Sequence, residues 1–197
     1  MEIINSSIEW CQDNYEIIIT NRKKVSKYDL QCILSRNPKR FVVDMLNEES
    51  LAVLAQIKEK IDIPYLQINN IRDGGDNLIN SLPNGINELN IGYNAWNKNI
   101  YNLPNSLKSL EMFCYNINDC MNLPHGLENL KLYIEVNELN LSNLPPSLVN
   151  LTLCIEVNEL NLSNLPPSIK TLKLLNDGYR GNLDSIPREI LPALSSQ

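Results

Sequence analysis

The 14 residues at positions 134–147, IEVNELNLSNLPPS, recur letter for letter at 155–168, an offset of 21 residues. The dipeptide Leu-Pro marks the same step more widely. It stands at Leu82-Pro83, Leu103-Pro104, Leu123-Pro124, Leu144-Pro145 and Leu165-Pro166, with Ile186-Pro187 as a variant. The intervals are 21, 20, 21, 21 and 21 residues. A unit of that size cannot bury its apolar side alone, so the units must stack and share one core.

From Leu82 onward each unit reads L-P-x-x-L-x-x-L-x-L. The members are Leu82, Ile86, Leu89 and Ile91; Leu103, Leu107, Leu110 and Met112; Leu123, Leu127, Leu130 and Leu132; Leu144, Leu148, Leu151 and Leu153; and Leu165, Ile169, Leu172 and Leu174. The closing L-x-L alternates, as a short strand with one buried face must. Proline lies outside that strand, at the corner leading into it, where no ladder N–H is lost. Period and pattern belong to the leucine-rich class of repeats. They predict an α/β leucine-rich-repeat solenoid with a parallel concave β-sheet. Helices should back the N-terminal repeats, and irregular or 3₁₀ segments the short later repeats of ~21 residues.

Residues 1–70 lack the Leu-Pro mark. Residues 7–12 suggest a short helix capping one end. Residues 15–20, YEIIIT, are β-branched and read as a strand. Residues 26–36 read as a helix, with Ser26 as N-cap, Tyr28, Leu30, Ile33 and Leu34 on one face, and Asn37-Pro38 as the stop. Residues 41–46 form the next strand. Residues 47–61 form the clearest helix: Asn47 caps it, Glu48 and Glu49 sit in its first turn, and Leu51, Leu54, Ile57 and Ile61 make a stripe. Ile63-Pro64 ends it, and residues 65–69 are a third strand. Ile18, Val43 and Leu66 mark the strand centres in this βαβ rhythm, which places the strands parallel. Residues 1–70 are therefore either helix-backed repeats continuous with residues 71–197, or an α/β cap packed on the array. The turn Asp73-Gly74-Gly75-Asp76 is too short for a flexible linker, which keeps both parts in one body.

A net charge of −6 and a pI near 4.9 repel phosphate backbones and anionic membrane surfaces, so neither nucleic acid nor membrane is expected as a partner. The first 20 residues have no basic n-region and no long apolar run, and nothing in the chain is long enough to span a bilayer. Five irregularly spaced cysteines, Cys11, Cys32, Cys114, Cys120 and Cys154, form no C-x-x-C and read as reduced thiols. An intracellular protein is the expectation, in the cytoplasm, or in host cytoplasm or virion if viral.

The first half of each unit carries an aromatic residue or Val, mostly followed by Asn: Trp96-Asn97, Tyr115-Asn116, Val136-Asn137, Val157-Asn158 and Tyr179-Arg180. An apolar residue follows, among Ile100, Leu139, Leu141, Leu160, Leu162 and Leu183. With WNKNIYNLPNSLKSL at 96–110 as its cleanest instance, this pattern resembles the FNIP repeat, F-N-x-P-I-x-x-L-P-x-S-L-x-x-L-x-L, over residues 77–190. The resemblance implies a curved solenoid that scaffolds protein binding, in a family of amoebal and giant-virus proteins. The family's proline is replaced here by Asn99, Leu139 and Leu160. Residues 1–70 show no F-box, so the ubiquitin-ligase adaptor role of some members stays an analogy. The bacterial effector type of leucine-rich repeat is a more distant likeness. It wants an asparagine where only Asn94 complies, against Tyr115, Glu135, Glu156 and Asp177.

In a stacked array equivalent residues lie about 4.8 Å apart. Asn102, Asn122, Asn143 and Asn164 precede Leu-Pro and are expected as buried corner amides that satisfy backbone groups. Glu135 over Glu156, and Glu138 over Glu159, must face water to avoid repulsion. Strand residues pointing away from the leucines line the concave face. They include Tyr65, Gln67, Glu88, Asn90, Glu111, Phe113, Lys131, Tyr133, Thr152, Lys173 and Leu175, with Ser109, Asn129, Asn150, Cys154 and Thr171 among them. Aromatics among amides and charges are the mixture that anchors protein interfaces.

No catalytic set, metal-ligand spacing or phosphate loop is recognisable. The single histidine, His125, sits in a corner, and the one glycine pair lacks a following G-K-[ST]. The expectation is a non-enzyme without cofactor or metal that binds a protein on its concave face. The alternatives are an assembly component, for instance of a viral particle, and the ligase adaptor implied by the resemblance.

Overall fold

The alternating apolar residues of each unit form strands that lie side by side in register. The computed structural model of the chain describes residues 8–11, 16–20, 27–72, 78–93, 100, 102–114, 122–134, 141–155, 162 and 164–175. Among the described residues there are nine strands: β1 (Ile8–Cys11), β2 (Glu16–Ile19), β3 (Arg40–Val43), β4 (Tyr65–Ile68), β5 (Glu88–Ile91), β6 (Ser109–Cys114), β7 (Asn129–Ile134), β8 (Asn150–Ile155) and β9 (Thr171–Leu175). They make one sheet in sequence order. Every pairing from β2 to β9 is parallel, and β4 pairs with β5, so the sheet runs from the first 70 residues into the Leu-Pro units.

The expected helix at residues 7–12 is instead β1, which pairs antiparallel with β2. A strand satisfies the free backbone edge of β2, which a helix would leave open. The connection of residues 12–15 is long enough for an antiparallel neighbour and far too short for a parallel one.

Two helices lie between the first parallel strands, α1 (Lys27–Arg36) and α2 (Glu48–Lys58). Asn37 ends α1 in the left-handed region, φ 45°, and its N–H donates to Ile33 O at 3.0 Å. Helix α2 begins with a reciprocal cap: Ser50 N donates to Asn47 Oδ1 at 2.8 Å, and Asn47 N donates to Ser50 Oγ at 2.9 Å. Its buried stripe is Ser50, Val53, Leu54 and Ile57. The expected Leu51 and Ile61 lie at the margins, partly buried against the core. In the later units the described backing is 3₁₀, at Ile79–Ser81 and Leu141–Asn143.

Two rows of inward side chains cross the strands. One holds Ile17, Phe41, Leu66, Leu89, Leu110, Leu130, Leu151 and Leu172; the other holds Ile19, Val43, Ile68, Ile91, Met112, Leu132 and Leu153. All are buried. Leu174 continues the second row on the last strand and is only partly covered. Ile18, taken from sequence as a strand centre, pairs with Val42 and belongs to the opposite face. The corner leucines Leu103, Leu123, Leu144 and Leu165 are buried too.

Four of the corners are the same turn. The proline carbonyl accepts from the N–H three residues on: Leu107 to Pro104, Leu127 to Pro124 and Leu148 to Pro145 at 3.0 Å, and Ile169 to Pro166 at 3.2 Å. Proline fits because it supplies this acceptor and has no N–H to strand in a buried corner. The next two N–H groups donate to one carbonyl of the preceding unit: Glu128 and Asn129 to Lys108 O, Val149 and Asn150 to Glu128 O, Lys170 and Thr171 to Val149 O.

A serine locks two of these turns to the unit before. Ser106 Oγ donates to Ile86 O at 2.8 Å and accepts from Gly85 N at 2.7 Å. Ser147 Oγ lies 2.5 Å from His125 O and 2.7 Å from Leu127 O. Gly85 holds the equivalent turn of the first unit at φ +92°, and a Cβ there would lie 2.3 Å from Lys58 Cε on α2.

The four asparagines before Leu-Pro are exposed and not buried as expected, because Leu and Pro take the inward positions of the corner. Asn102 still satisfies a backbone group from outside: its Nδ2 donates to Asn80 O at 3.0 Å. The buried corner amide is Asn80, whose Oδ1 accepts from Asn102 N at 2.9 Å. Trp96, Tyr115, Val136, Val157, Tyr179 and the glutamate pairs 135/156 and 138/159 lie outside the described residues.

Truncating one stacked leucine must open a cavity that neighbouring units cannot fill. Leu130→Ala should cost about 2–5 kcal/mol in urea unfolding, Ser147→Ala about 1 kcal/mol, and the exposed Asn150→Ala less than about 0.5 kcal/mol.

Candidate functional site

The register that buries the leucines also aligns the residues between them. On the outward face one row runs Glu16, Arg40, Tyr65, Glu88, Ser109, Asn129, Asn150, Thr171. A second runs from Gln67 and Asn90 through Glu111, Lys131 and Thr152 to Lys173. A third runs Phe113, Tyr133, Cys154, Leu175. All sixteen residues read from sequence as face residues therefore stand on one face. They are not equally connected.

The tightest cluster spans β6 and β7. Lys131 Nζ and Tyr133 Oη both lie 2.9 Å from the same oxygen, Glu111 Oε1. Lys131 Nζ also stands 4.8 Å from the Tyr133 ring centre. The Tyr133 ring stacks on Phe113, centroids 4.5 Å apart and planes 14° from parallel. Tyr93 meets Phe113 edge-on at 5.2 Å and 87°. Such ring pairs add about 0.5–1.5 kcal/mol beyond their buried area.

Tyr93 reaches this row by an offset. The row position beside Phe113 falls on Gly92, where a Cβ would lie 3.2 Å from Ile68 O and 3.3 Å from Asn69 O. The close backbone approach keeps that position small, and the ring comes from the next residue.

A second cluster sits on β2 to β4. Arg40 pairs with Glu16 at 3.0 Å, donates to Gln67 Oε1 at 2.5 Å and lies 4.7 Å over the Tyr65 ring. Gln67 Nε2 donates to Asn69 Oδ1 at 2.8 Å. Glu88 bears on the second cluster: beside burial, its charge raises the Tyr65 phenol, and Lys173 makes no ion pair among the described residues. Among the described residues Tyr93 and Leu175 are the exposed large apolar ones, at 58% and 42%.

Arg40 and Tyr93 escaped the sequence reading. Arg40 is the first residue of β3, one before the apolar run that marks the strand. Tyr93 falls one residue past the outward register of β5, so alternation does not select it.

The electrostatics follow the contacts. The neighbouring Tyr133 oxygen, then Glu111, hold the Lys131 ammonium well above the ordinary lysine range against the desolvation that opposes it. Lys131 pulls the Tyr133 phenol down, but burial and the Glu111 carboxylate outweigh it and leave the phenol above its ordinary 10.0. Burial raises Tyr65 likewise, opposed by Arg40. Burial raises the Cys154 thiol above 9.0, with Lys131 opposing and Glu111 adding. A thiol pushed up is a poor nucleophile. Among the described residues no group of acids, cysteines and histidine could hold a metal ion. No described helix is long and apolar enough to cross a membrane.

An open groove of about 400 Å³ lies at the corners leading into β6, β7 and β8, with Asn102, Asn122, His125, Asn143 and Pro146 in its walls. His125 is an exposed corner residue, as its position in the unit implies.

A scan of the chain against protein-family models gave no match, and searches of curated proteins and of solved structures gave none either. The likeness to the FNIP repeat therefore stands on the residues of the units alone.

Tyr133, Tyr65, Lys131 and Cys154 all hold their protons more tightly when folded. Such groups contribute stability that is whole below their unfolded pKa values and is lost as pH rises through the folded ones. Stability measured by urea should therefore fall from near pH 9, the ordinary thiol value. Glu111→Gln removes a charge that raises Tyr133, so tyrosine-ring NMR should show that phenol titrating at lower pH.

Proposed function

We propose that the chain is a leucine-rich-repeat solenoid of the FNIP type whose concave sheet face holds a protein partner and catalyses nothing. The observation that carries this reading is the Tyr93–Phe113–Tyr133 ring cluster beside the Glu111–Lys131 pair, on the solvent side of the sheet. The leucine rows close the core on the other side of the sheet. Partly exposed aromatics flanked by a charge pair are what a partner can cover with gain, and interface energy concentrates on such anchors. The unit supports the reading as well. Its frame is constant, while most outward strand positions vary between copies, as Val149 to Cys154 against Lys170 to Leu175 illustrate.

The assembly reading draws on a separate observation: Leu174 is only partly buried and Leu175 exposed on the last described strand. Concentration-dependent mass by light scattering would favour it.

Affinity purification from the natural host cell, followed by mass spectrometry, should recover a protein with the wild-type chain and lose it with the triple change Phe113→Ala, Lys131→Ala, Tyr133→Ala. Truncating one central anchor should weaken that complex by about thirtyfold, the equivalent of about 2 kcal/mol. Unchanged recovery with a normally folded triple variant rejects the concave face.

A further inference from the structure

The third outward row has a direction and a length, and both constrain what can lie on it. It begins at Tyr93, passes Phe113, Tyr133 and Cys154, and ends at Leu175. Each step is one strand spacing, about 4.8 Å, so four steps span about 19 Å across the sheet. The two ends are its most exposed members.

A ligand that seats one apolar side chain per step needs a matching repeat. An extended peptide places same-side residues about 6.6–6.8 Å apart, and over four steps it drifts about 8 Å out of phase. An α-helix returns to the same side every 5.4 Å and drifts only about 2.4 Å over the same distance, which side-chain rotamers absorb. A span of about 19 Å corresponds to about 13 helical residues, with anchors at i, i+3 or i+4, and i+7 onward.

Charge selects further. Beside the row, Glu111 and Lys131 neutralise each other at 2.9 Å. Thr152 follows and carries no charge. Lys173 then stands exposed next to Leu175, with no ion pair among the described residues. Among the described residues the uncompensated charge along the stripe is thus a cation at its β9 end, and an acidic side chain complements it.

We infer that the occupant of this face is an amphipathic α-helix of about four turns, laid across β5 to β9 with its apolar stripe on Tyr93, Phe113, Tyr133 and Leu175 and an acidic residue on its flank over Lys173. This inference rests on the reading of the face as a protein-docking surface and names the element that docks.

Two peptide pools test it against the full chain. One holds stapled helices of about 14 residues with apolar residues varied at the helical anchor positions and Glu or Lys on the flank. The other has the same compositions with a central proline, which breaks the helix. Binders selected from each are measured by fluorescence anisotropy on wild type, Tyr93→Ser, Leu175→Ser and Lys173→Glu. These positions are exposed, and urea midpoints check that folding is unchanged. The stapled pool should yield binders that lose about tenfold in affinity on Tyr93→Ser or Leu175→Ser. Lys173→Glu should turn the preference from flanking Glu to flanking Lys. If only the proline pool yields binders sensitive to those changes, the helix is overturned while the docking face stands. Sensitive helices indifferent to Lys173→Glu overturn the acidic flank. If no binder from either pool responds to Tyr93→Ser or Leu175→Ser, helix and docking face fall together.

Discussion

Leucine stacked on leucine across parallel strands is the interaction on which the rest depends. No unit encloses its own apolar side; Leu130 is buried because Leu110 and Leu151 flank it in register. A slip of one residue would turn a whole row to solvent, so the hydrophobic pattern fixes the register strongly. The outward rows follow that register. Glu111, Lys131 and Thr152 are neighbours only because Leu110, Leu130 and Leu151 are.

Hydrogen bonding at the corners follows from the same stacking. A chain that turns four times in nearly the same place must satisfy the same backbone groups four times. It does so with the unit before: the carbonyls of Asn87, Lys108, Glu128 and Val149 each take two N–H groups from the next turn. The hydroxyls of Ser106 and Ser147 add a further tie in the same direction. Each unit is thus a template for the one after it, in polar as well as apolar contacts. The first Leu-Pro unit has α2 behind it, where Lys58 fills the space a side chain at position 85 would need.

Much of this was legible because it is periodic. The Leu-Pro step located β5 to β9, the alternation assigned faces, and the cap and stop residues Asn47 and Asn37-Pro38 located the helices. What escaped reading depended on events without a period. Strand β1 exists because an edge needed a partner, which no local pattern in IEWC announces. The asparagines before Leu-Pro looked like corner amides, but two inward neighbours leave them outside, and the buried amide is the unrepeated Asn80. At the candidate site the face was readable and its pairing was not. Which side chain turns toward which, as Lys131 and Tyr133 turn to one oxygen of Glu111, depends on side-chain reach across a register that sequence supplies only approximately.

A ladder of rings can be structural, since stacking across strands stabilises a sheet whether or not anything binds. The pairing of Phe113 and Tyr133 could be explained in that way alone. The ends of the row differ in exposure. Tyr93 and Leu175 present large apolar surface to solvent on the face opposite the leucine rows. Tyr93 is not a continuation of the strand pattern, because its ring enters the row from a residue beyond the register of β5. Exposed apolar surface at both ends, continuous with half-covered rings and bordered by a cation, is the observation on which the proposal of a contact face rests.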